Sequence, residues 1–329
     1  MIRTLSMDST GSLKTGTDVA ECREKLLKSD TLIWVDIFDA TDEESISVLK
    51  DVFKFHPLAI DDALVETHVP KIDNWGDYLT LVIQTMPTDM QRTDEIITQE
   101  VDLFVGKNFL VSYHLTYNQA IETVWQQLLK SKFLPQKEAS EILYLILDES
   151  ANDFIRGTDQ LDNQLNDLED QLFDNPDPTL LEVIFSLKRG ILHLRQSIGP
   201  QREVINKLAR GDYPILGSES TLYFRDVYDH FFRLYDMIEN LRDLTSNTLE
   251  IFLSVVNNRM NGIMKTLTVI TTLFMPISFL AGFFGMNFFK PVVDLAAWTS
   301  QPAFYIILTA SILFPIGMLI YFIKRGWMR

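Results

Sequence analysis

The chain has 329 residues, with 45 acidic and 29 basic side chains, a formal net charge of −16 and a single cysteine. One cysteine excludes a disulfide framework within the chain and a thiolate metal cluster. The acidic excess argues against a nucleic-acid partner, because phosphate binding needs a basic surface. It suits cations or basic surfaces as partners, and plain solubility explains it equally well.

The N-terminal third combines strand and helix patterns. Residues 1–30 are rich in Ser, Thr and Asp and lack the apolar core of a signal peptide, which predicts a loosely ordered lead. Residues 31–38 alternate like a strand, and 39–56 repeat apolar side chains at helical spacing. Three further strands are predicted at 79–86, 95–105 and 109–114. Together these elements predict a cytoplasmic α/β or α+β domain over residues 31–116.

Residues 117–217 are predicted to be helical. Four leucines repeat at i, i+4, i+7 and i+11 from Leu161 to Leu172, and the run 175–178, Asn-Pro-Asp-Pro, breaks that helix. The next helix, about 179–198, carries Lys188, Arg189 and Arg195, so the sequence predicts antiparallel pairing of an acidic and a basic helix.

A long helical pattern begins near Ser220 and reaches Phe284 without a strong breaker, apart from Pro276. Its 65 residues correspond to a helix on the order of 100 Å long. Residues 218–265 form the predicted stalk. A helix of this length needs neighbours, and a symmetric bundle of copies is the simplest source of them. Pro276 predicts a local kink.

Two predicted membrane spans follow the stalk. Between Lys265 and Lys290 lie 24 residues without a charge, enough to cross a bilayer core. The predicted segments are a first span at 266–286, a loop at 287–302, a second span at 303–323 and a basic tail at 324–329. Only Lys290 lies between the spans and the other nearby bases flank them, which predicts that both termini are cytoplasmic.

The histidines do not form a recognisable metal or catalytic motif. They lack zinc-site spacing and are interpreted as structural; they are His56, His68, His114, His193 and His230. The sequence also offers no nucleophile paired with a base and no phosphate-binding loop. We therefore expect that the protein is not an enzyme.

One face of the first span carries a regular set of side chains, spaced 3, 3, 4, 4 and 3 residues apart, which we call the stripe. Its members are Asn261, Met264, Leu267, Thr271, Met275 and Ser278. If several copies pack with the stripe inward, it lines an axial pore whose Met and Leu rings form a hydrophobic constriction. A coiled-coil seam would produce the same spacing, so periodicity leaves both interpretations open.

The end of the first span resembles a known signature. The run from Met275 through Pro276 and Gly282 to Gly285-Met286-Asn287 is similar to that of the CorA family of magnesium channels, and here it is followed by a short loop, a second span and a basic tail. Upstream segments resemble the family as well, at 34–36, 56–64, 70–72, 77–79 and 106–111. The resemblance covers nearly the whole chain from about residue 31.

The resemblance implies a funnel-shaped homopentamer with an α+β cytoplasmic domain, long stalk helices and two C-terminal transmembrane helices. It implies a selectivity filter of Gly285, Met286 and Asn287, with the Asn287 ring selecting hydrated Mg²⁺ and Gly285 permitting the exit from the helix. It also implies closure by intracellular Mg²⁺ bound between subunits at Asp226, with Asp89 as a candidate partner. The alternative for Asp226 is an ordinary exposed acid.

The loop after the motif departs from the family pattern. Where several acids are usual, residues 288–294 carry one acid, Asp294, and one base, Lys290, and Phe284 stands where a tyrosine is common.

From the family resemblance and the two predicted spans, we expect a passive divalent-cation channel for Mg²⁺ in the inner membrane of a prokaryote. The alternatives are a Zn²⁺, Co²⁺ or Ni²⁺ transporter of the ZntB type, or a membrane scaffold of the same fold that conducts nothing.

Overall fold

The computed structural model describes residues 1–8, 13–16, 19, 21–22, 31–65, 69–87, 98–131, 138–174, 177–286 and 300–327. The strands are β1 (Ile2–Met7), β2 (Leu13–Thr15), β3 (Leu32–Phe38), β4 (Lys71–Asn74), β5 (Leu79–Thr85), β6 (Gln99–Val105) and β7 (Phe109–His114). The helices are α1 (Asp42–Ile46), α2 (Pro57–Leu64), α3 (Gln119–Ser131), α4 (Ala139–Asp174), α5 (Thr179–Ala209), α6 (Ser220–Gly285) and α7 (Gln301–Lys324). Two compact units divide the chain, Met1–Leu249 and Glu250–Arg329, and α6 contributes to both.

The strands form one sheet in the order β2-β1-β3-β7-β6-β5-β4. Only the β3–β7 pair is parallel among the described strands, and the other neighbours are antiparallel. Side chains on both faces of β3 are buried: Ile33 and Val35 join the apolar cluster that includes α1 and α2. On the opposite face, the Trp34 ring meets Trp125 of α3 edge-on at 4.9 Å. Helices therefore cover both faces of the sheet.

Over Ile2–Met7, strand β1 corrects the prediction of a loosely ordered lead, which covered residues 1–30. It pairs antiparallel with β3 along its whole length, from Ile2 opposite Ile37 to Met7 opposite Leu32. Leu5 and Met7 are almost fully buried. Thr4 and Ser6 alternate with Leu5 and Met7 and are buried as well, so these polar residues belong to a strand and are not a sign of disorder.

A buried polar network fastens β1 to the sheet. Arg3 donates from Nε to Asp36 at 2.8 Å and from a terminal nitrogen to Glu122 at 2.6 Å, and its guanidinium lies 4.2 Å from the Trp125 ring centre. Burial alone would raise the pKa of Asp36, but hydrogen bonds and charge from His114, with help from Arg3, hold that pKa below its usual value. His114 therefore has a structural role, because its ring holds the Asp36 carboxylate at 3.1 Å. The sequence analysis also interpreted His114 as structural.

The helices differ from the sequence predictions at their ends. The helix predicted over 39–56 begins only at Asp42, after a capping box of Thr41 and Glu44, and continues as a π-helical turn over Ser47–Val52. The strand predicted from residue 95 begins at Gln99; residues 95–97 lie outside the described ranges. Helix α5 continues to Ala209 because Pro200 is accommodated inside it.

The basic residues of α5 do not all pair with the acidic helix α4. Arg195 forms its ion pair with Glu239 of α6 instead. On α4, the Glu169 carboxylate accepts a hydrogen bond at 2.6 Å from the Thr248 hydroxyl of α6. Helix α6 therefore takes polar contacts from both α4 and α5.

The second unit consists of the C-terminal part of α6 and helix α7, and both are long and apolar enough to cross a membrane. Many of their large apolar side chains are exposed, such as Phe274, Phe279, Ile306 and Leu313. Apolar surface of this extent needs lipid or a partner to cover it. The predicted class is confirmed: an α+β domain, long helices and two C-terminal apolar helices.

Candidate functional site

The stripe lies on the surface of this chain. All six of its residues are exposed, and its apolar members Met264, Leu267 and Met275 keep 55%, 57% and 65% of their surface. Helix α6 continues through Pro276, so the stripe is one continuous helical face. Its exposure leaves open both interpretations of the spacing, a pore lining and a seam between helices.

The threonines beside the stripe are mostly satisfied within the helix. Thr266, Thr268 and Thr272 donate to the carbonyl oxygens four residues earlier, at 3.0, 2.7 and 2.7 Å. This is the usual way in which hydroxyls are accommodated in an apolar helix. Thr271, a member of the stripe, makes no hydrogen bond through its hydroxyl to any part of the chain that the structure describes. Its hydroxyl is therefore available to water, an ion or a neighbouring copy.

The predicted filter is described only in part. Gly285 is the last residue of α6, and half of Met286 is exposed. Gly285 does not have a positive φ, and a Cβ added there would meet no atom of the described residues within 4 Å, so the described part of the chain gives no steric reason for glycine. Asn287 and the predicted regulatory residue Asp89 lie outside the described residues.

A cluster of possible metal ligands lies in the first unit, and we call it the carboxylate cluster: Asp148 of α4 with Asp226 and His230 of α6. One ligand atom from each of the three side chains lies within 4.8 Å of the other two. His230 Nδ1 is 3.1 Å from an Asp148 oxygen. Asp226 and His230 are one helical turn apart, so they share a face of α6, and α4 brings Asp148 against that face.

The electrostatics of the cluster favour a cation. Burial raises the pKa of Asp148, the charge and hydrogen bond of His230 oppose that shift, and the negative charges of Asp226 and Glu149 add to it. The pKa of Tyr144, one turn from Asp148, is raised by burial and then by the charges of Asp148 and Asp226. Burial is the largest cause of both shifts, and the smaller contributions of the neighbouring carboxylates reflect negative charge at the cluster, which a divalent ion would offset.

The chemistry of the three side chains fits a divalent cation. Mg²⁺ is commonly held by one or two carboxylates while it keeps several waters. An imidazole is a better ligand for Co²⁺, Ni²⁺ or Zn²⁺ than for Mg²⁺, and it must be neutral to bind. These three side chains offer one ligand atom each, so water or another subunit would complete the coordination.

Sequence reasoning named Asp226 through the family resemblance but did not name Asp148 or His230, which the structure places beside it. Asp148 lies 78 residues earlier in the chain, and nothing in the sequence shows that α4 packs beside α6 at this point. His230 was interpreted as structural with the other histidines, and the structure adds its contact with Asp148 and its place among three possible metal ligands. The signal was its spacing of four residues from Asp226, which places two ligand types on one helical face.

Comparison with known proteins agrees with this architecture. The family described as "CorA-like Mg2+ transporter protein" matches residues 29–325. The Bacillus subtilis (strain 168) protein YfjQ is 34% identical over 295 residues, which cover 89% of each chain. The cobalt/magnesium transport protein CorA of Thermotoga maritima is 29% identical over 301 residues, 91% of this chain and 84% of that protein.

A solved structure shows the same fold. The complete CorA magnesium transporter from Methanocaldococcus jannaschii superposes with a TM-score of 0.83 and covers 98% of both chains, at 24% sequence identity. The family match extends over nearly the whole length of this chain, and it includes the α+β domain from β3 onward and the two apolar helices. The chain therefore belongs to the family of CorA-like Mg²⁺ transporter proteins.

Proposed function

We propose that this protein is a passive divalent-cation channel that carries Mg²⁺ across a prokaryotic inner membrane as a homopentamer. The observation that carries the proposal is that one helix, α6, bears the carboxylate cluster near its N-terminal end and the exposed stripe near its C-terminal end. Because the cluster and the stripe lie on the same helix, α6 is an element through which ion binding at the cluster could affect the stripe.

The stripe supports a pore formed between copies. A single chain leaves Met264, Leu267 and Met275 exposed, so a second copy of the same face is a natural cover for them. In a ring of five, these side chains would form an apolar constriction that can exclude water. Asn261 and Ser278 would place polar rings at its two ends.

Selection of the ion is assigned to Asn287. Mg²⁺ gives up its waters reluctantly, so a ring of neutral amide carbonyls can recognise the hydrated ion without stripping it. Gly285 and Met286 would complete the filter. This assignment rests on the family resemblance of the motif.

Regulation is assigned to the carboxylate cluster. Asp148 and Asp226 repel each other unless a cation or a proton lies between them. Mg²⁺ bound there would supply the charge that offsets them and would keep several of its waters, whereas His230 would act as a ligand for Co²⁺ and similar ions. Asp89 stays a predicted ligand from an adjacent subunit. We infer that occupancy of the cluster at high intracellular Mg²⁺ favours the closed channel.

Orientation follows from charge. Helices α6 and α7 would be the two spans, and the bases Lys265, Lys324 and Arg325 lie at the ends that lead to the termini. By the positive-inside tendency those ends face the cytoplasm, so both termini would be cytoplasmic.

Ion flux into proteoliposomes loaded with a Mg²⁺-sensitive dye tests the proposal. We expect uptake of Mg²⁺ by the wild type and a loss of at least about tenfold in Asn287→Ala, because the amide ring that accepts hydrogen bonds from the hydrated ion is removed. Asn166→Ala, an exposed asparagine on α4 outside both the stripe and the cluster, is the matched control and should conduct normally.

The same assay with Zn²⁺ and Co²⁺ decides between the alternatives. Uptake of Zn²⁺ without Mg²⁺ would assign the protein to zinc transport. The absence of any flux through an assembled oligomer, checked by size-exclusion chromatography, would favour the non-conducting scaffold. Full Mg²⁺ uptake by Asn287→Ala would overturn the assignment of the filter.

A further inference from the structure

The C-terminal end of α7 is a well-defined cap. Gly326 has a φ of 73°, and its N–H donates to Ile323 O at 3.1 Å. The Trp327 N–H donates to Phe322 O at 3.0 Å, and the two rings stack at 5.5 Å. These are the two hydrogen bonds and the apolar contact of a Schellman motif. The cap fixes where Trp327 and the preceding bases lie.

The cap also joins α7 to α6. Lys265 Nζ donates to Gly326 O at 3.5 Å, so the base that begins the charge-free run of α6 lies beside the bases that end the run of α7. Both apolar helices therefore leave their apolar stretch at the same place. Trp327 and Tyr321 are about half exposed there, at 47% and 56%. Exposed aromatic rings next to bases are typical of a membrane–water interface.

Lys324 and Arg325 have charges that nothing in the described part of the chain neutralises by an ion pair. Arg325 lies 5.8 Å from the centre of the Tyr321 ring, and both bases are exposed. Elsewhere the arginines Arg156, Arg195 and Arg242 form ion pairs with acids. Bases at a helix C-terminus often serve to bind its last carbonyl groups.

At this cap, the carbonyl groups of Tyr321, Phe322 and Ile323 already accept backbone N–H groups. The two bases are therefore not needed as caps. Lys324 and Arg325 therefore remain as two exposed hydrogen-bond donors at the predicted membrane–water interface, beside the Tyr321 and Trp327 rings.

We propose that Lys324 and Arg325, together with the exposed face of Trp327, bind the phosphate headgroup of an anionic phospholipid in the leaflet at this end of the helices. An ammonium and a guanidinium complement a phosphate diester, and basic residues next to a span attract anionic lipid. We assign the phosphate to a lipid and not to a soluble anion because Trp327 and Tyr321 offer apolar surface that only a lipid would use. The inference rests on the proposed spanning of α6 and α7.

Native mass spectrometry of the full-length protein in detergent tests the inference. The protein is titrated with phosphatidylglycerol or phosphatidylcholine of identical acyl chains, and bound lipids are counted. We expect the wild type to prefer phosphatidylglycerol, and the double variant Lys324→Gln/Arg325→Gln to lose up to about 30-fold of that preference, from about 1 kcal/mol for each base near an anionic headgroup.

Two matched variants serve as controls. Lys188→Gln/Arg189→Gln on α5 makes the same charge change at another adjacent basic pair and should keep the preference. The exchange Lys324→Arg/Arg325→Lys preserves charge and should keep it as well, which separates loss of charge from loss of folding.

Three results would overturn the inference: equal binding of both lipids by the wild type, an unchanged preference in the double variant, or displacement of phosphatidylglycerol by inorganic phosphate at equal concentration. The last would assign the site to a soluble anion. Lipid counting needs no transport, so the lipid site can fail while ion flux is normal, and flux can fail while the lipid site is intact.

Discussion

Asp153 of α4 is a carboxyl group in an unfavourable position. Its side chain is 1% exposed, one oxygen has no hydrogen-bond partner among the described residues, and the other pairs with Arg156. Burial raises its pKa to about 6, and the hydrogen bond and charge of Arg156 only partly oppose this shift. At neutral pH the folded protein therefore holds a buried charge that is incompletely compensated.

The pH dependence of stability follows from that pKa. The folded value, about 6, is higher than the ordinary 3.8, so the folded state binds the proton more tightly than the unfolded state does. The penalty from Asp153 is fully present above pH 6, falls as the pH is lowered through 6, and is gone below 3.8.

We expect Asp153→Asn to raise the free energy of unfolding at pH 7 by on the order of 2 kcal/mol, and to leave stability at pH 4 nearly unchanged. Thermal unfolding of the full-length protein in detergent at pH 4 to 8 measures both. Asp170→Asn, an exposed acid on the same helix, should shift neither value. A variant less stable than the wild type at pH 7 would show that the ion pair with Arg156 outweighs burial.

At the scale of elements, the edge of the sheet beside β4 is closed by a side chain. Strand β4 pairs with β5 only from Leu79 to Val82. Beyond that point, the Gln201 amide of α5 takes the place of a strand: its oxygen accepts from the Gln84 N–H at 2.7 Å and its nitrogen donates to Gln84 O at 3.1 Å. Ser150 of α4 donates to the same carbonyl oxygen at 3.1 Å.

Gln201→Leu should therefore destabilise the protein by about 2 kcal/mol, because the buried Gln84 N–H loses the one side-chain partner it has among the described residues, while the carbonyl keeps Ser150. The melting temperature of the full-length protein measures the effect. Gln196→Leu, at an exposed position of α5, makes the same chemical change without touching the sheet and should be nearly neutral. Equal stability of the two variants would mean that the edge does not depend on Gln201.

The contrast between β3 and Gln201 shows what the sequence could predict. Strand β3 was predicted to within one residue, and the length of α6 also to within one, because apolar periodicity and the absence of breakers are local signals. Strand β1 was missed because its burial depends on Arg3 meeting Asp36 and Glu122, which are distant in the chain. Gln201 was missed for the same reason.

The carboxylate cluster was half predictable. Asp226 came from the family resemblance, and His230 could have been added from its spacing. Asp148 required the packing of α4 against α6. The stripe was predicted from spacing alone, and its exposure in the single chain agrees with either a pore or a seam.

For the whole molecule, charge sets the conditions under which the cluster can be studied. The first 265 residues contain 44 acids and 25 bases, a net charge of −19. So large an excess makes any salt stabilise the folded state by screening repulsion. Binding at the cluster must therefore be distinguished from screening, by comparing MgCl₂ with NaCl at equal ionic strength.

Under that comparison, we expect Mg²⁺ to raise the melting temperature of the wild type beyond the effect of NaCl. At a concentration 100 times the dissociation constant, the stabilisation would be about 2.7 kcal/mol. Asp148→Asn and Asp226→Asn should each lose most of this increment, because each removes one of the two carboxylates that bind the ion. Asp229→Asn, an exposed acid one turn from Asp226 and outside the cluster, should keep it. An equal loss in Asp229→Asn would reduce the effect to general screening.

A variant of His230 tests which ion the cluster prefers, independently of whether the cluster binds an ion at all. His230→Gln keeps both carboxylates, so the Mg²⁺ increment should persist, whereas the concentration of Co²⁺ needed for half of its increment should rise about tenfold, because an imidazole is the stronger ligand for Co²⁺. An equal rise in both midpoints would mean that His230 acts by holding Asp148 in position through their 3.1 Å contact, and not as a ligand.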